Sequence, residues 1–105
     1  MYIVIYSFKV KPNQEAVFIN SWQGLTNLVY KHEDSLGSRL HKVNENEYIA
    51  YAQWPDKITF DKAGSKWPKT SNSYRNTMRA SCESINILQK MEVVKDLLRT
   101  NIYEK

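Results

Sequence analysis

Arg39, His41, Tyr51 and Gln53 have the types and spacing that suit chemistry. Arg39 and His41 are two apart in one short stretch, Tyr51 and Gln53 two apart in the next. If both stretches are strands, each pair shares a face. An imidazole titrates close to neutrality, which makes His41 the candidate base. A guanidinium stays charged and offers a planar fork of donors, so Arg39, or Arg79 farther along, is the candidate partner for an anion. Tyr6, Trp67 and Tyr74 supply rings, and apolar rings with a few placed polar groups are what small-molecule sites use. The expected site therefore has His41, Tyr51 and Arg39 as catalytic groups. Tyr6, Gln53, Trp67, Tyr74 and Arg79 are its pocket wall, with Tyr6 converging on the other four polar groups. The competing reading of Arg39, His41, Tyr51 and Gln53 is a face turned to solvent or to a second subunit. Trp67 sits on a connection flanked by Pro68, and is either a lid over a cavity or a plug in the core.

Other chemistries find little support. His32 and His41 lie on different elements, and neither forms a helical i, i+4 pair with another ligand type, so no metal site is expected. Glycines at 24, 37 and 64 cannot form a phosphate-binding loop, and no nucleophile elbow is present. No cofactor is expected. Cys82 is the one cysteine, which excludes an intramolecular disulfide; with no histidine near it in sequence it reads as a small buried hydrophobe. The 15 Lys and Arg against 11 Asp and Glu give a net charge of +4, permitting an anionic partner without requiring one. The basic residues are scattered, which reads as a solvated surface. Met1 runs into Tyr2-Ile3-Val4-Ile5-Tyr6 without a basic leader, and that run is far too short to span a bilayer. A cytoplasmic protein without membrane or nucleic-acid partners is the expectation, and 105 residues suit a single domain over 1–105.

The elements that position the candidate groups follow from periodicity. Gly37 to Val43 and Glu47 to Trp54 are strand-like, and Asn44-Glu45-Asn46 between them suits a tight turn. With a three-residue loop, Arg39 faces Tyr51 and Leu40 faces Ala50. One face then carries Arg39, His41, Ile49, Tyr51 and Gln53. The other carries Ser38, Leu40, Ala50, Ala52 and Trp54, a surface of small residues beside Leu and Trp on which helices pack. A two-residue loop would mix the sets.

Tyr2 to Val10 is apolar on both alternating faces, which predicts a central strand covered on both sides. Lys11-Pro12 ends it, and Asn13 is the expected helix cap. From Gln14 to His32 the period is helical, with Phe18, Trp22, Leu25 and Val29 on one stripe. Trp22 and Trp54 are expected in the core. Pro55-Asp56 starts a short helix from Lys57 to about Lys62, and 63–69 reads as a loop. A second long helix is predicted from about Ser71 or Asn72, ending near Gln89 or earlier. Met91 to Leu98 is the predicted last strand, and the remainder a tail. The order is βαββααβ, an α+β ferredoxin-like antiparallel sheet with helices on one face.

Three segments together carry a resemblance. They are Phe8-Lys-Val-Lys-Pro12 before a helix with Phe18 and Trp22, the Gly37-Ser-Arg-Leu-His41 hairpin, and Tyr51-Ala-Gln-Trp54-Pro-Asp-Lys57 before a short helix. With Met91 to Leu98 closing the chain, the sequence resembles the antibiotic biosynthesis monooxygenase superfamily over nearly all its length. The resemblance implies a homodimer in which two four-stranded sheets close into a dimeric α+β barrel, each subunit holding a pocket between sheet and helices. It implies one of two activities: cofactor-free oxidation of aromatic polyketides or quinols, or oxidative haem degradation. The haem-degrading branch uses an Asn, a Trp and a His, whose slots fall here on or beside Tyr6, near Ala63 and near Ser73 or Tyr74, so that branch is not matched. In the polyketide-oxidising branch Tyr, Trp, Asn and Arg line the pocket, roles that Tyr51, Trp67, Asn72 or Tyr74, and Arg79 resemble. The function expected is a cofactor-independent monooxygenase acting on a small aromatic or quinol-type substrate. The rival is a non-catalytic ligand-binding or stress-related barrel of the same fold. An RNA-binding module shares the element order, but Glu47-Tyr-Ile-Ala-Tyr-Ala52 lacks that module's basic, glycine-bearing strand.

Overall fold

Alternation along β1 (Tyr2–Val10) sends Tyr2, Val4, Tyr6, Phe8 and Val10 to one side and Ile3, Ile5, Ser7 and Lys9 to the other. Ile3 and Val4 are both buried, as a strand covered on two faces requires. The computed structural model describes residues 1–63 and 70–98. After β1 come α1 (Glu15–His32), β2 (Ser38–Lys42), β3 (Glu47–Trp54), α2 (Lys57–Asp61), α3 (Thr70–Ala80) and β4 (Cys82–Glu92). The strands form one antiparallel sheet in the order β2-β3-β1-β4, so β1 is central as its two apolar faces predict. This is the predicted α+β ferredoxin-like architecture, with α1 and α3 packed together on one side.

The hairpin has the predicted register: Arg39 lies opposite Tyr51 and Leu40 opposite Ala50. Asn44 enforces the three-residue loop, because its Oδ1 accepts from the backbone N–H of Asn46 at 3.1 Å and of Glu47 at 3.0 Å. Gly37, at φ 101°, opens the hairpin in a conformation other residues adopt only with strain. Its N–H donates to Ser35 Oγ at 2.9 Å. At the start of α1 the N-cap position falls on Gln14, which makes no side-chain cap bond, in place of Asn13. Asn13 instead takes the left-handed turn at φ 65°, a conformation asparagine tolerates. Asp56 caps α2 as a side-chain acceptor, 2.7 Å from Thr59 N.

The last third of the chain departs from the expected boundaries. α3 ends at Ala80, well before Gln89 on the early side of the expected range, and β4 occupies Cys82–Glu92 rather than Met91–Leu98. The reason is two register shifts against β1, between Ile5 and Tyr6 and between Lys9 and Val10. Cys82, Ile85, Ile87 and Lys90 all partner residues of β1 that face the helices. Bulges stretch their spacing to three, two and three, which hides the period of two that marks a strand. Residues 93–98 lie beyond the strand.

α1 and α3 meet where Gly24 faces Tyr74. A Cβ at Gly24 would fall well inside contact distance of the Tyr74 ring. The glycine that weakens α1 therefore lets an aromatic ring lie on its backbone. Gly24→Ala should cost about 1–3 kcal/mol through overpacking. In a Tyr74→Ala background the same change should be neutral or stabilising by up to about 1 kcal/mol, the ordinary helix preference for alanine. Chemical denaturation of the four proteins gives the coupling. A Gly24→Ala penalty that persists without Tyr74 would place the constraint elsewhere.

Candidate functional site

Two groups of rings hold the helices off the sheet. At one end Phe18 of α1 packs against Phe8 and Tyr48, with ring centroids 5.0 and 5.2 Å apart. At the other, Phe60 of α2 packs against Tyr2 and Trp54, at 5.7 and 5.5 Å. Between the groups the sheet carries Ala50 and Ala52, and Ser38 lies opposite Ala52. Small side chains beneath a roof held up at both ends leave a gap. It is a cavity of about 480 Å³ between sheet and helices, a size suited to a small organic ligand.

Helical spacing supplies the roof. Trp22, Leu25, Thr26 and Val29 of α1 line the cavity at i, i+3, i+4 and i+7, and Arg75, Met78 and Arg79 of α3 at i, i+3 and i+4. Tyr6 lines the floor, opposite Ala50 on one side and Ile87 on the other. Burial pushes the Tyr6 phenol above its ordinary titration range, so it is a neutral donor at physiological pH. Burial also lowers the Arg75 guanidinium from its usual range, with the charge of Arg79 acting in the same direction. No Asp or Glu is among the described lining residues. Trp54, 4% exposed, closes one end, and its indole Nε1 is buried without a hydrogen-bond partner among the described residues. An acceptor on a bound water or ligand is what would satisfy that donor.

The opposite face of the sheet carries the polar hairpin residues. Tyr51 pairs with Ile5 and Gln53 with Ile3, whereas Tyr6 pairs with Ala50. Strand alternation therefore sends Tyr6 to the helix side and Arg39, His41, Tyr51 and Gln53 away from it. The expected convergence of Tyr6 with those four groups is overturned, because the sheet lies between them. They line a second, open cavity of about 510 Å³ together with Leu36 and Leu98. His41 Nδ1 lies 3.2 Å from Ile49 O. A carbonyl only accepts, so this bond places a proton on Nδ1 and leaves Nε2 as the available nitrogen.

Of the expected pocket wall, Tyr6 and Arg79 share the helix-side cavity. Gln53 sits across the sheet. Tyr74 is 40% exposed and its ring is taken up against Gly24, apart from the cavity lining. Trp67 lies outside the described residues. Trp54 is core as expected, while Trp22 is half-buried and is itself a wall of the cavity. Arg75 was not foreseen. Its signal in the sequence is the i, i+4 pairing with Arg79 in a segment, Thr70 to Ala80, that contains no acidic residue. Cys82 is buried next to Ser81, and burial raises its thiol pKa, the pattern of a packed hydrophobe rather than a nucleophile. No group of three His, Cys, Asp or Glu side chains gathers as a metal site among the described residues. No helix among them is long and apolar enough to cross a membrane.

No family model matches the chain. No curated protein matches it in sequence either. Solved structures do match in fold. SnoaB, a cofactor-independent oxygenase from Streptomyces nogalater, superposes with a TM-score of 0.75 at 15% identity, over 93% of this chain and 97% of that one. An antibiotic biosynthesis monooxygenase matches with a TM-score of 0.69 at 16% identity, over 90% of this chain and 100% of the other. Rv0793 from Mycobacterium tuberculosis gives 0.72 at 10% identity, over 92% and 98%. At such identities the likeness establishes architecture: the chain has the fold of the antibiotic biosynthesis monooxygenases.

Proposed function

We propose that the protein is a cofactor-independent monooxygenase that oxidises a small aromatic or quinol-type substrate with molecular oxygen, in the cavity between sheet and helices. The observation that carries this reading is the make-up of that cavity. Aromatic and aliphatic walls surround a half-buried neutral phenol, Tyr6, and the exposed side chain of Arg79 reaches the same lining. Such a cavity can bind a flat ring and hold an anion formed from it. The oxygenase activity given for SnoaB, on the same fold, supports the reading.

In this chemistry the substrate supplies the electrons. A cation beside a phenol or an acidic ring C–H favours its ionised form, so the arginine lowers the substrate's pKa and the proton leaves to water. The carbanion or phenolate then reduces oxygen. For an anthrone-type ring the methylene becomes a carbonyl, giving up four electrons; one oxygen atom stays on carbon and the other leaves as water. Tyr6 donates a hydrogen bond to the oxyanion, and Arg79 balances its charge. His41, Tyr51 and Arg39 do not serve this mechanism, because they lie across the sheet. Arg39, His41, Tyr51 and Gln53 instead suit a subunit interface, the alternative reading of the polar face. The half-buried Ile5 and Ile49 share that face. Val94, Leu97 and Leu98 beyond β4 are 95%, 82% and 80% exposed. A second copy closing the barrel would cover this surface.

Three measurements test the proposal. Purified protein treated with chelator should take up oxygen with hydroquinones or anthrones. Arg79→Gln and Tyr6→Phe should each lower the rate by about tenfold to a hundredfold, while His41→Ala and Tyr51→Phe keep it. Activity lost on chelation, or unchanged in Arg79→Gln and Tyr6→Phe, overturns the mechanism. Binding of these rings without oxygen uptake would identify a ligand-binding barrel instead.

The second measurement concerns Tyr6 alone. Its folded pKa lies above the unfolded value of 10.0, so its contribution to stability is complete below that pH and declines as pH rises toward the folded pKa. Thermal melts on the alkaline side should show a steeper loss for the native protein than for Tyr6→Phe. Parallel curves would mean that Tyr6 ionises freely in the fold.

Light scattering is the third. It should give twice the 12.4 kDa chain mass. A value of one chain mass at micromolar concentration would rule out the dimer.

A further inference from the structure

We infer that Ala52 determines which rings the helix-side cavity accepts, by leaving open a blind end that the far ring of a fused system occupies. This rests on the reading of that cavity as the substrate site and adds the size of the substrate and the residue that selects it. The lining draws on all four strands: Ser38 of β2, Ala52 of β3, Tyr6 of β1 and Ile87 of β4. Three strand spacings separate β2 from β4, so the lining crosses about 14 Å of sheet. Its two ends differ. Arg79, Asn86 and Ile87 are the exposed members of the described lining, and all three lie on α3 or β4. The mouth is therefore between α3 and β4. At the other end Ser35, Ala52 and Trp54 are buried.

The polar groups of the blind end show what reaches it. Trp54 lines the cavity there, and its buried Nε1 has no hydrogen-bond partner among the described residues. The two hydroxyls beside it are already engaged. Ser38 Oγ donates to Tyr51 O at 3.1 Å, and Ser35 Oγ accepts from the Gly37 N–H at 2.9 Å. An indole N–H only donates, so an oxygen on the far end of a ligand satisfies it. From Ile87 at the mouth to Trp54 is at least two strand spacings, about 10 Å. One ring does not bridge that span, and two or three fused rings do. Ala52 governs the passage. It lies two residues from Trp54 on the same face of β3, between Ser38 on one side and Val4 on the other. Ser38 and Ala52 are the smallest cross-strand pair on the helix face of the hairpin, so the floor is lowest there. A longer side chain at 52 would fill that depth and leave the space around Tyr6 as it is.

Isothermal titration calorimetry under nitrogen, with 1,4-hydroquinone and 1,8-dihydroxyanthrone, compares one ring with three in the absence of turnover. The anthrone carries an oxygen on each outer ring. Ala52→Leu, checked by thermal melt to be folded, should weaken the anthrone at least about tenfold and leave hydroquinone unchanged. Ala52→Val, the smaller intrusion, should fall between, and it carries the test if the leucine variant does not fold. In ¹⁵N-labelled protein the Trp54 indole N–H resonance, identified with Trp54→Phe, should move when the native protein is saturated with the anthrone. Hydroquinone should leave it in place. Anthrone affinity that survives both substitutions at Ala52 overturns the inference, because the ring then stops short of the blind end. Equal losses for the two compounds also overturn it, by making Ala52 a support of the whole cavity instead of a selector. The cavity's role as the substrate site survives either of those results. If neither compound binds the native protein, the inference and that role fail together.

Discussion

The pairing of β1 with β3 is the constraint on which the rest of this molecule depends. It sets large residues against large ones at the ends, Tyr2 opposite Trp54 and Phe8 opposite Tyr48, and large against small in the middle, Tyr6 opposite Ala50 and Val4 opposite Ala52. Each end recruits one more ring, Phe60 or Phe18, and becomes a close-packed cluster. Interiors pack to the density of organic crystals, so a space left between two such clusters persists only if both are rigid enough to prevent collapse. Tyr6 and Val29 are partly buried against both clusters. The cavity is therefore a consequence of register: moving β3 by one residue would put Tyr51 and Gln53 under the helices and turn Ala50 and Ala52 outward.

The same alternation divides the chain's polar groups into two populations with different physical tasks. Those on the helix side reach a lining of rings and aliphatic walls: Tyr6 and Arg75 are half-buried and Arg79 is exposed, and burial raises the pKa of the phenol and lowers that of Arg75. A half-buried charge such as that of Arg75 is screened less than one in open solvent. Those on the open side, Arg39 and His41, are exposed. Screening there leaves them suited to matching a protein surface rather than to stabilising a reacting atom.

What could be read from the sequence and what could not separate along physical lines. The hairpin register was legible because its loop carries Asn44, whose side chain closes the turn, and because a one-residue slip would have mixed Ala50 and Ala52 with Tyr51 and Gln53. The central place of β1 was legible because Ile3 and Val4 point opposite ways and both need cover. The start of β4 was not, because its bulges space the helix-facing Cys82, Ile85, Ile87 and Lys90 by three, two and three and hide the period of two that marks a strand. The site was half legible. Arg79 and Tyr6 were named among its residues, but grouped with His41 and Tyr51. Attention to residue type favoured the histidine, whereas location is decided by alternation, which had already placed Ala50 and Trp54 on the helix side. Since Tyr6 shares its face with Phe8 and Val10, the separation from His41 followed once β1 was paired with β3 through Ala50.

One further consequence concerns the edges of the sheet. Both edge strands would offer unpaired backbone groups to another chain. β2 is only five residues and carries Arg39, His41 and Lys42; β4 is eleven residues and ends in Lys90, Met91 and Glu92. Charge and brevity discourage open-ended pairing at β2, and the register shifts in β4 add twist that discourages flat stacking there. A sheet with both edges guarded in this way and one face that carries no described helix favours association through that face. Face-to-face packing of two copies about a two-fold axis is self-limiting. It would leave the helix-side cavities on the outer flanks of the pair, so binding a ring beneath α1 and α3 would not require the subunits to part.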